Sequence, residues 1–111
     1  MPWSRTLILM RHATAGHQGA STDHDRPLTA EGVREAADAG DWIRQNLAPV
    51  DAVLCSTAVR TRQTLTASRI DAPATFADEL YGGGIDDILE QIAQLPAAAG
   101  TVVVVGHAPG I

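Results

Sequence analysis

The sequence predicts an α/β fold, a three-layer α/β/α arrangement with a mainly parallel sheet. Extended and helical segments alternate along the 111 residues, as they do when crossover helices connect parallel strands. The extended segments are continuous apolar runs, which is typical of strands covered on both faces. The length suits a single domain, residues 1–111.

Composition limits the classes of partner. The formal net charge of -5 argues against nucleic acid or an anionic membrane as the main partner. All eight cationic side chains are arginine, which suits phosphate recognition, although a genome rich in G and C would produce the same bias. The single cysteine, Cys55, excludes a disulfide framework and a cysteine metal cluster. Because we find no signal peptide or membrane-spanning run, we expect a cytoplasmic location.

The first predicted strand ends in two chemically useful side chains. Leu7 to Met10 form an apolar run, which we expect to be a central strand buried on both faces. Arg11 and His12 follow at its carboxyl end, where ligands bind in open α/β sheets. The same pair is equally consistent with a plain exit of the strand into solvent.

A long loop and a helix are predicted next. Residues 13–28 contain many turn formers and no periodicity, so we expect a loop in which His17 and His24 are solvated. Apolar residues at steps of three and four predict a helix over residues 30–47. Thr29 precedes this stripe and is the expected N-cap.

A second strand and helix follow. The strand is expected over residues 51–56 and the helix over residues 58–69, with Ser56 or Thr57 as its cap. Arg60 falls in the first turn of this helix, where a cation is mildly unfavourable against the helix dipole. That cost suggests a functional role for Arg60, the alternative being an ordinary surface arginine.

The remaining segments complete the pattern. Residues 74–77 are a short strand, residues 78–84 a glycine-rich loop, and residues 85–95 a helix. Residues 101–105, one threonine and four valines, are the most strand-like run in the chain. A glycine and His107 follow this last strand.

Parallel strands would bring four side chains to one edge of the sheet, namely Arg11, His12, Arg60 and His107. Two guanidinium groups suit a dianionic phosphoryl group. A neutral imidazole can attack phosphorus, and a second imidazole can stabilise the equatorial oxygens. The sequence has neither a metal-ligand cluster nor a Gly-x-x-x-x-Gly-Lys loop, so metal-assisted and nucleoside-triphosphatase chemistries are weakly supported.

Four stretches, in this order along the chain, resemble the motifs of the histidine phosphatase superfamily, which has the phosphoglycerate-mutase-like fold. Within it, the chain is most similar to the small bacterial phosphohistidine phosphatases. The stretches are Leu-Met-Arg-His-Ala at 9–13, Arg-Pro-Leu-Thr at 26–29 leading into Glu31 and Gly32, Val-Leu-Cys-Ser at 53–56 with Arg60, Gln63 and Thr64, and Val-Val-Gly-His-Ala-Pro-Gly at 104–110.

The resemblance implies a role for each matching residue. His12 corresponds to the nucleophile that becomes a phosphohistidine intermediate. Arg11, Arg60 and His107 correspond to the groups that bind the phosphoryl group around it. Arg26 corresponds to an arginine near the mouth of the pocket. The resemblance implies no metal and no cofactor.

The chain departs from the family pattern at three places. Ala13 replaces the usual glycine after the nucleophile. The general acid of larger members corresponds only roughly to Glu79 or Asp78, and for Glu79 a solvated loop residue is the favoured interpretation. Family members continue after the Gly-His motif with a helix and further strands, so we expect a fragment or a shortened member that lacks its C-terminal helix and edge strands.

We therefore expect a metal-independent phosphatase that acts through phosphorylated His12, with phosphohistidine proteins as substrates. The alternatives are a phosphomonoesterase or mutase of small phosphorylated metabolites, or a non-catalytic fragment that binds phosphate or phosphoproteins. A sheet without its edge elements would expose apolar surface, so self-association is expected through that edge.

Overall fold

A four-stranded parallel sheet lies at the centre of the computed structural model, which describes residues 5–47 and 49–107. The strands are β1 (Thr6–Arg11), β2 (Ala52–Ser56), β3 (Ala74–Ala77) and β4 (Thr101–Gly106). They lie side by side in the order β1-β4-β2-β3, and every pairing between them is parallel. The predicted α/β fold with a parallel sheet is confirmed. In the register, Arg11 lies opposite Gly106, so β1 and β4 end together.

Helices cover both faces of this sheet. They are α1 (Ala30–Asn46), α2 (Val59–Ser68), α3 (Glu79–Gly82) and α4 (Ile85–Ala93), with a 3₁₀ helix at Asp23–Asp25. On one face, α1 and α2 contribute Ile43 and Leu65 to a core with Val53 and Cys55. None of the helices in the described residues is long and apolar enough to cross a bilayer.

The opposite face has its own core. Leu80 of α3 and Ile88 of α4 pack there with Leu54, Val102 and Val104 of the central strands. Alternate residues of β2 and β4 therefore point to opposite cores, which explains why both strands are continuous apolar runs. The predicted three layers are present.

The start of α1 follows the prediction. The Thr29 hydroxyl oxygen accepts a hydrogen bond from the Gly32 N–H at 3.0 Å and so caps the helix. Further along, α1 approaches α2 very closely. A Cβ atom added at Gly40 would lie 1.9 Å from the backbone oxygen of Ser68. Only a glycine permits this helix contact.

The prediction that β1 is central and buried on both faces was wrong. It lies at the edge of the described sheet because β4 is inserted between β1 and β2. Met10 is buried on the α1–α2 face, but Leu7 and Leu9 are 38% and 44% exposed on the other face. The core on that face contains residues of β2 and β4 and none of β1.

The predicted cap of α2 was also wrong. The N-cap is Ala58, which makes no side-chain capping bond. The Ser56 hydroxyl instead lies beside His107, and the Thr57 hydroxyl donates to Asp78. Both side chains therefore make contacts with other elements, and neither is the N-cap residue of α2.

Residues 78–84 are not all loop, as the glycine triplet had suggested. Glu79–Gly82 form one helical turn in which Leu80 is only 5% exposed. Burial of this leucine against the sheet explains the turn. Cys55 is a core residue, as predicted, and burial raises the pKa of its thiol to about 11.

We expect Gly40→Ala to lower the free energy of unfolding by about 2 kcal/mol, because backbone atoms of α2 would have to move. Urea unfolding measures this change. Gly82→Ala is the matched control, since a Cβ there meets nothing within 4 Å. We expect that control to stay within about 0.5 kcal/mol of the parent chain. Equal effects of the two substitutions would contradict the close helix contact.

We expect the exposed side of β1 to promote self-association, because its outer edge has no strand partner within residues 5–47 and 49–107 and because Leu7 and Leu9 are exposed. Sedimentation across a concentration series should show larger species as concentration rises. Leu9→Gln should reduce this shift. A monomer at every concentration would remove the prediction.

Candidate active site

His12 begins the loop after β1, and its ring is held in one tautomer. The His12 N–H donates to the Gly106 carbonyl at 3.0 Å, which ties this loop to the end of β4. The ring Nδ1 lies 2.7 Å from the Ala13 carbonyl oxygen. A carbonyl can only accept, so Nδ1 carries the proton and Nε2 keeps its lone pair. His12 therefore presents a basic nitrogen.

A second imidazole lies beside the first. The ring centroids of His12 and His107 are 5.4 Å apart. His107 Nε2 lies 2.8 Å from the Ser56 hydroxyl oxygen, which also accepts from the Ala58 N–H at 3.3 Å. A hydroxyl can both donate and accept, so this contact fits either neutral tautomer of the His107 ring. Nδ1 is buried and has no hydrogen-bond partner among the residues described.

Both imidazoles are neutral near pH 7. Burial lowers the pKa of His12 below the usual 6.5, and the nearby charges of Arg60, Arg11 and Arg26 add to the effect. Burial is also the main cause that lowers the pKa of His107 to about 4, with the Arg60 charge next. Since the neutral imidazole is the nucleophilic form, this environment keeps His12 in its reactive state at neutral pH.

Arg60 is a buried cation. Its residue is 7% exposed, and its guanidinium reaches from the first turn of α2 to the 3₁₀ helix. Nη1 donates to the Asp23 carbonyl at 2.7 Å, and Nη2 donates to Asp23 Oδ2 at 3.1 Å. The guanidinium carbon lies 5.9 Å from the centre of the Tyr81 ring. The alternative of an ordinary surface arginine was wrong.

Asp23 and Tyr81 belong to this cluster, although the sequence pattern singled out neither. Asp23 Oδ1 accepts from Arg26 Nη1 at 3.0 Å, and Oδ2 accepts from the Tyr81 hydroxyl at 2.6 Å. The Tyr81 ring contacts His107 edge-on, with centroids 5.5 Å apart. Hydrogen bonds from Tyr81, Arg26 and Arg60 hold the pKa of Asp23 well below its usual range, so it is ionised.

Local sequence signals explain why these two residues were missed. Asp23 lies among serine, threonine and glycine, which predict a turn, and Tyr81 precedes the glycine triplet. The one available signal was the position of Asp23 three residues before Arg26. Such a spacing becomes informative only when the turn geometry is known.

The other residues that the sequence predicted at the site are Arg11, Arg26 and Glu79. Arg11 is exposed, and its guanidinium makes no hydrogen bond within residues 5–47 and 49–107. Its charge nevertheless contributes to the lowered pKa of His12. Arg26 also donates from Nε to the Gly16 carbonyl at 3.1 Å. Glu79 is exposed, and in the described part of the chain no hydrogen bond or ion pair joins it to either site histidine. A general-acid role for Glu79 stays a prediction.

His24 is not the solvated loop residue that was predicted. Its Nε2 lies 3.0 Å from the Thr57 hydroxyl oxygen, and its ring contacts Tyr81 with centroids 4.8 Å apart. His17 is exposed, as predicted. Among the described residues, no three histidine, cysteine or carboxylate side chains are grouped to hold a metal ion. The predicted motif residues 108–110 lie outside the described part of the chain.

Comparisons with known proteins identify relatives of this chain. An uncharacterised protein of Mycobacterium tuberculosis is 51% identical over 100 residues, which cover 90% of this chain and 63% of that relative. A structure from Nakamurella multipartitia, described as a candidate phosphohistidine phosphatase SixA, matches with a TM-score of 0.92 and 62% identity. That match covers 96% of this chain and 61% of the other. The present chain thus spans about three fifths of the length of both relatives.

A second structure is that of the protein histidine phosphatase SixA complexed with tungstate. It matches with a TM-score of 0.82 and 27% identity, covering 93% of this chain and 69% of the other. The model of the histidine phosphatase superfamily (branch 1) matches residues 7–81, a span that includes both His12 and Arg60. The chain therefore belongs to the histidine phosphatase superfamily (branch 1).

Proposed function

We propose that this chain carries the catalytic site of a metal-independent phosphatase that hydrolyses phosphohistidine in proteins through phosphorylated His12. The hydrogen bond from His12 Nδ1 to the Ala13 carbonyl carries the proposal, because it leaves Nε2 free to attack. The similar SixA structures, which are named for phosphohistidine and protein histidine phosphatases, support this substrate class.

Binding of the phosphoryl group uses the cations around His12. Arg11 and Arg60 contact its oxygens, and His107 donates from Nδ1, the buried atom that lacks a partner in the described chain. Tungstate, the ligand of one SixA structure, is a tetrahedral oxyanion like phosphate, which supports an oxyanion site in this family. In this arrangement the arginines and His107 neutralise the charge that develops on the equatorial oxygens.

The first chemical step transfers the phosphoryl group. Nε2 of His12 attacks phosphorus, the P–N bond of the substrate breaks, and its electron pair stays on the departing imidazole, which takes a proton from water. An imidazole needs less protonation to leave than an alkoxide does. In the described residues, Glu79 makes no hydrogen bond or ion pair with either site histidine. This arrangement is compatible with an imidazole leaving group.

Water completes the cycle. It attacks phosphorus of the phosphorylated His12, the bond from phosphorus to Nε2 breaks, and inorganic phosphate leaves. His12 recovers its lone pair on Nε2 and keeps the proton on Nδ1, where the Ala13 carbonyl holds it.

Substrate profiling separates this proposal from the alternatives. Phosphate should be released from a phosphorylated histidine protein and not from sugar phosphates. Release from small phosphoesters alone would identify a phosphomonoesterase. Binding of inorganic phosphate without turnover of any substrate would identify a non-catalytic binding module.

We expect His12→Ala to reduce phosphatase activity by about 10³-fold or more, since it removes the nucleophile. With the parent chain, rapid acid-free quenching and intact-mass measurement should detect one added phosphoryl group that is absent in the variant. His17→Ala is the matched control, because His17 is an exposed loop residue. Full activity of His12→Ala would exclude the covalent mechanism.

We expect kcat/KM to fall as the pH is lowered, with the midpoint of the fall below pH 6.5. The reason is that the nucleophile must be neutral and its pKa is lowered from 6.5, so it becomes half protonated only below that value. A pH–rate profile, with NMR titration of the His12 ring, measures this. Arg34→Ala, which removes an exposed cation of α1, should leave the profile unchanged. A fall that follows the His12 titration with a midpoint at or above pH 6.5 would contradict the lowered pKa.

A further inference from the structure

We propose that Asp23 is a positioning residue that fixes Arg60, Arg26 and Tyr81 for phosphoryl binding. The inference rests on the proposed function, because it takes Arg60 to be part of the phosphoryl site. The proposal gives a function to the 3₁₀ helix at Asp23–Asp25, a segment for which the sequence predicted only a turn.

Asp23 holds Arg60 at the end of its guanidinium. Its backbone carbonyl accepts from Nη1 at 2.7 Å, and its carboxylate accepts from Nη2 at 3.1 Å. Each terminal nitrogen keeps a second N–H, and Nε keeps its own. The side of the guanidinium that includes Nε can therefore still bind an oxyanion through two parallel hydrogen bonds. Asp23 limits which side of Arg60 faces a ligand.

The same carboxylate joins segments that are distant in sequence. It accepts from Arg26 in the loop, from Arg60 on α2 and from Tyr81 on α3. Tyr81 in turn contacts His107 edge-on. Asp23 is itself held in place, because Thr22 caps the 3₁₀ helix and the Arg26 N–H donates to the Asp23 carbonyl at 3.2 Å. One side chain thus sets the relative position of two arginines and an aromatic ring at the site.

The opposite possibility is that Asp23 competes with phosphate for Arg60. Exposure favours positioning. The Asp23 side chain is 55% exposed, so water screens its repulsion of a bound anion. The Arg60 side chain is only 9% exposed, and without Asp23 it would be a buried cation with fewer partners and a strong tendency to move towards water. Loss of Asp23 should therefore disorder the cation more than it relieves repulsion.

Calorimetric titration of the whole chain with inorganic phosphate tests the proposal. Asp23→Ala should weaken phosphate binding by about tenfold or more, which corresponds to the loss of one well-placed charged contact. Asp23→Asn keeps the shape and an acceptor oxygen, so a smaller loss is expected. Asp25→Ala is the matched control on the same 3₁₀ helix, since its carboxylate contacts Ser21 and His24, and it should stay within about twofold.

A double-variant comparison shows whether Asp23 acts through Arg60. In an Arg60→Ala background, Asp23→Ala should weaken phosphate binding less than it does in the parent chain, because only its contacts with Arg26 and Tyr81 are then lost. Thermal melts followed by circular dichroism identify variants that fail to fold, and Asp23→Asn keeps the test decisive if Asp23→Ala does. Unchanged or tighter phosphate binding in a folded Asp23 variant would overturn the proposal, as would full additivity with Arg60→Ala.

The proposed function can fail separately. If the wild-type chain binds phosphate with the expected dependence on Asp23 but hydrolyses no phosphoryl substrate, positioning by Asp23 is supported and the phosphatase proposal is lost. If the wild-type chain binds no phosphate, both are overturned.

Discussion

Parallel pairing of β1 with β4 is the constraint on which the site depends. The register sets Arg11 opposite Gly106, so the residues that follow these strands, His12 and His107, leave the sheet side by side. The His12 N–H bond to the Gly106 carbonyl extends the pairing by one step beyond the strands. A one-residue slip would turn the side chains of β1 to the opposite face and separate the two imidazoles.

Charge is distributed so that the two histidines stay neutral while their surroundings are ionised. Burial and neighbouring guanidinium groups disfavour the second proton that would make either ring a cation. Asp23 offsets part of this positive charge from a more exposed position, where ionisation costs little. The result is a pair of neutral imidazoles beside guanidinium groups that retain N–H groups able to bind an anion.

The sequence predicted much of the fold because the strands and helices have strong local patterns. Continuous valines located β4, the spacing of Ala36, Gly40 and Ile43 located α1, and Thr29 marked its start. The position of β1 at the edge could not be predicted, because an apolar run does not show which strands or helices pack against it. Leu7 and Leu9 look the same in a sequence whether they are buried or exposed.

The site was predicted less completely for a related reason. Residues at strand ends, such as His12 and His107, are identified by topology, and the position of Arg60 in the first turn of the following helix identified it as well. Asp23, Tyr81 and His24 join the cluster through side-chain contacts between the long loop, α2 and α3, and these contacts depend on how turns are oriented. Periodicity and spacing carry no information on that orientation.

The position of β4 between β1 and β2 also bears on how the molecule reaches its native state. Along the sequence, β2 precedes β4 by roughly half of the described chain, and β1 precedes it by nearly all of it. Insertion of β4 between them therefore closes long loops, which slows folding. During synthesis on the ribosome, His12 emerges early but has no neighbouring imidazole until β4 has left the exit tunnel. The pairing of the two imidazoles therefore forms only when the central strand is inserted into the sheet.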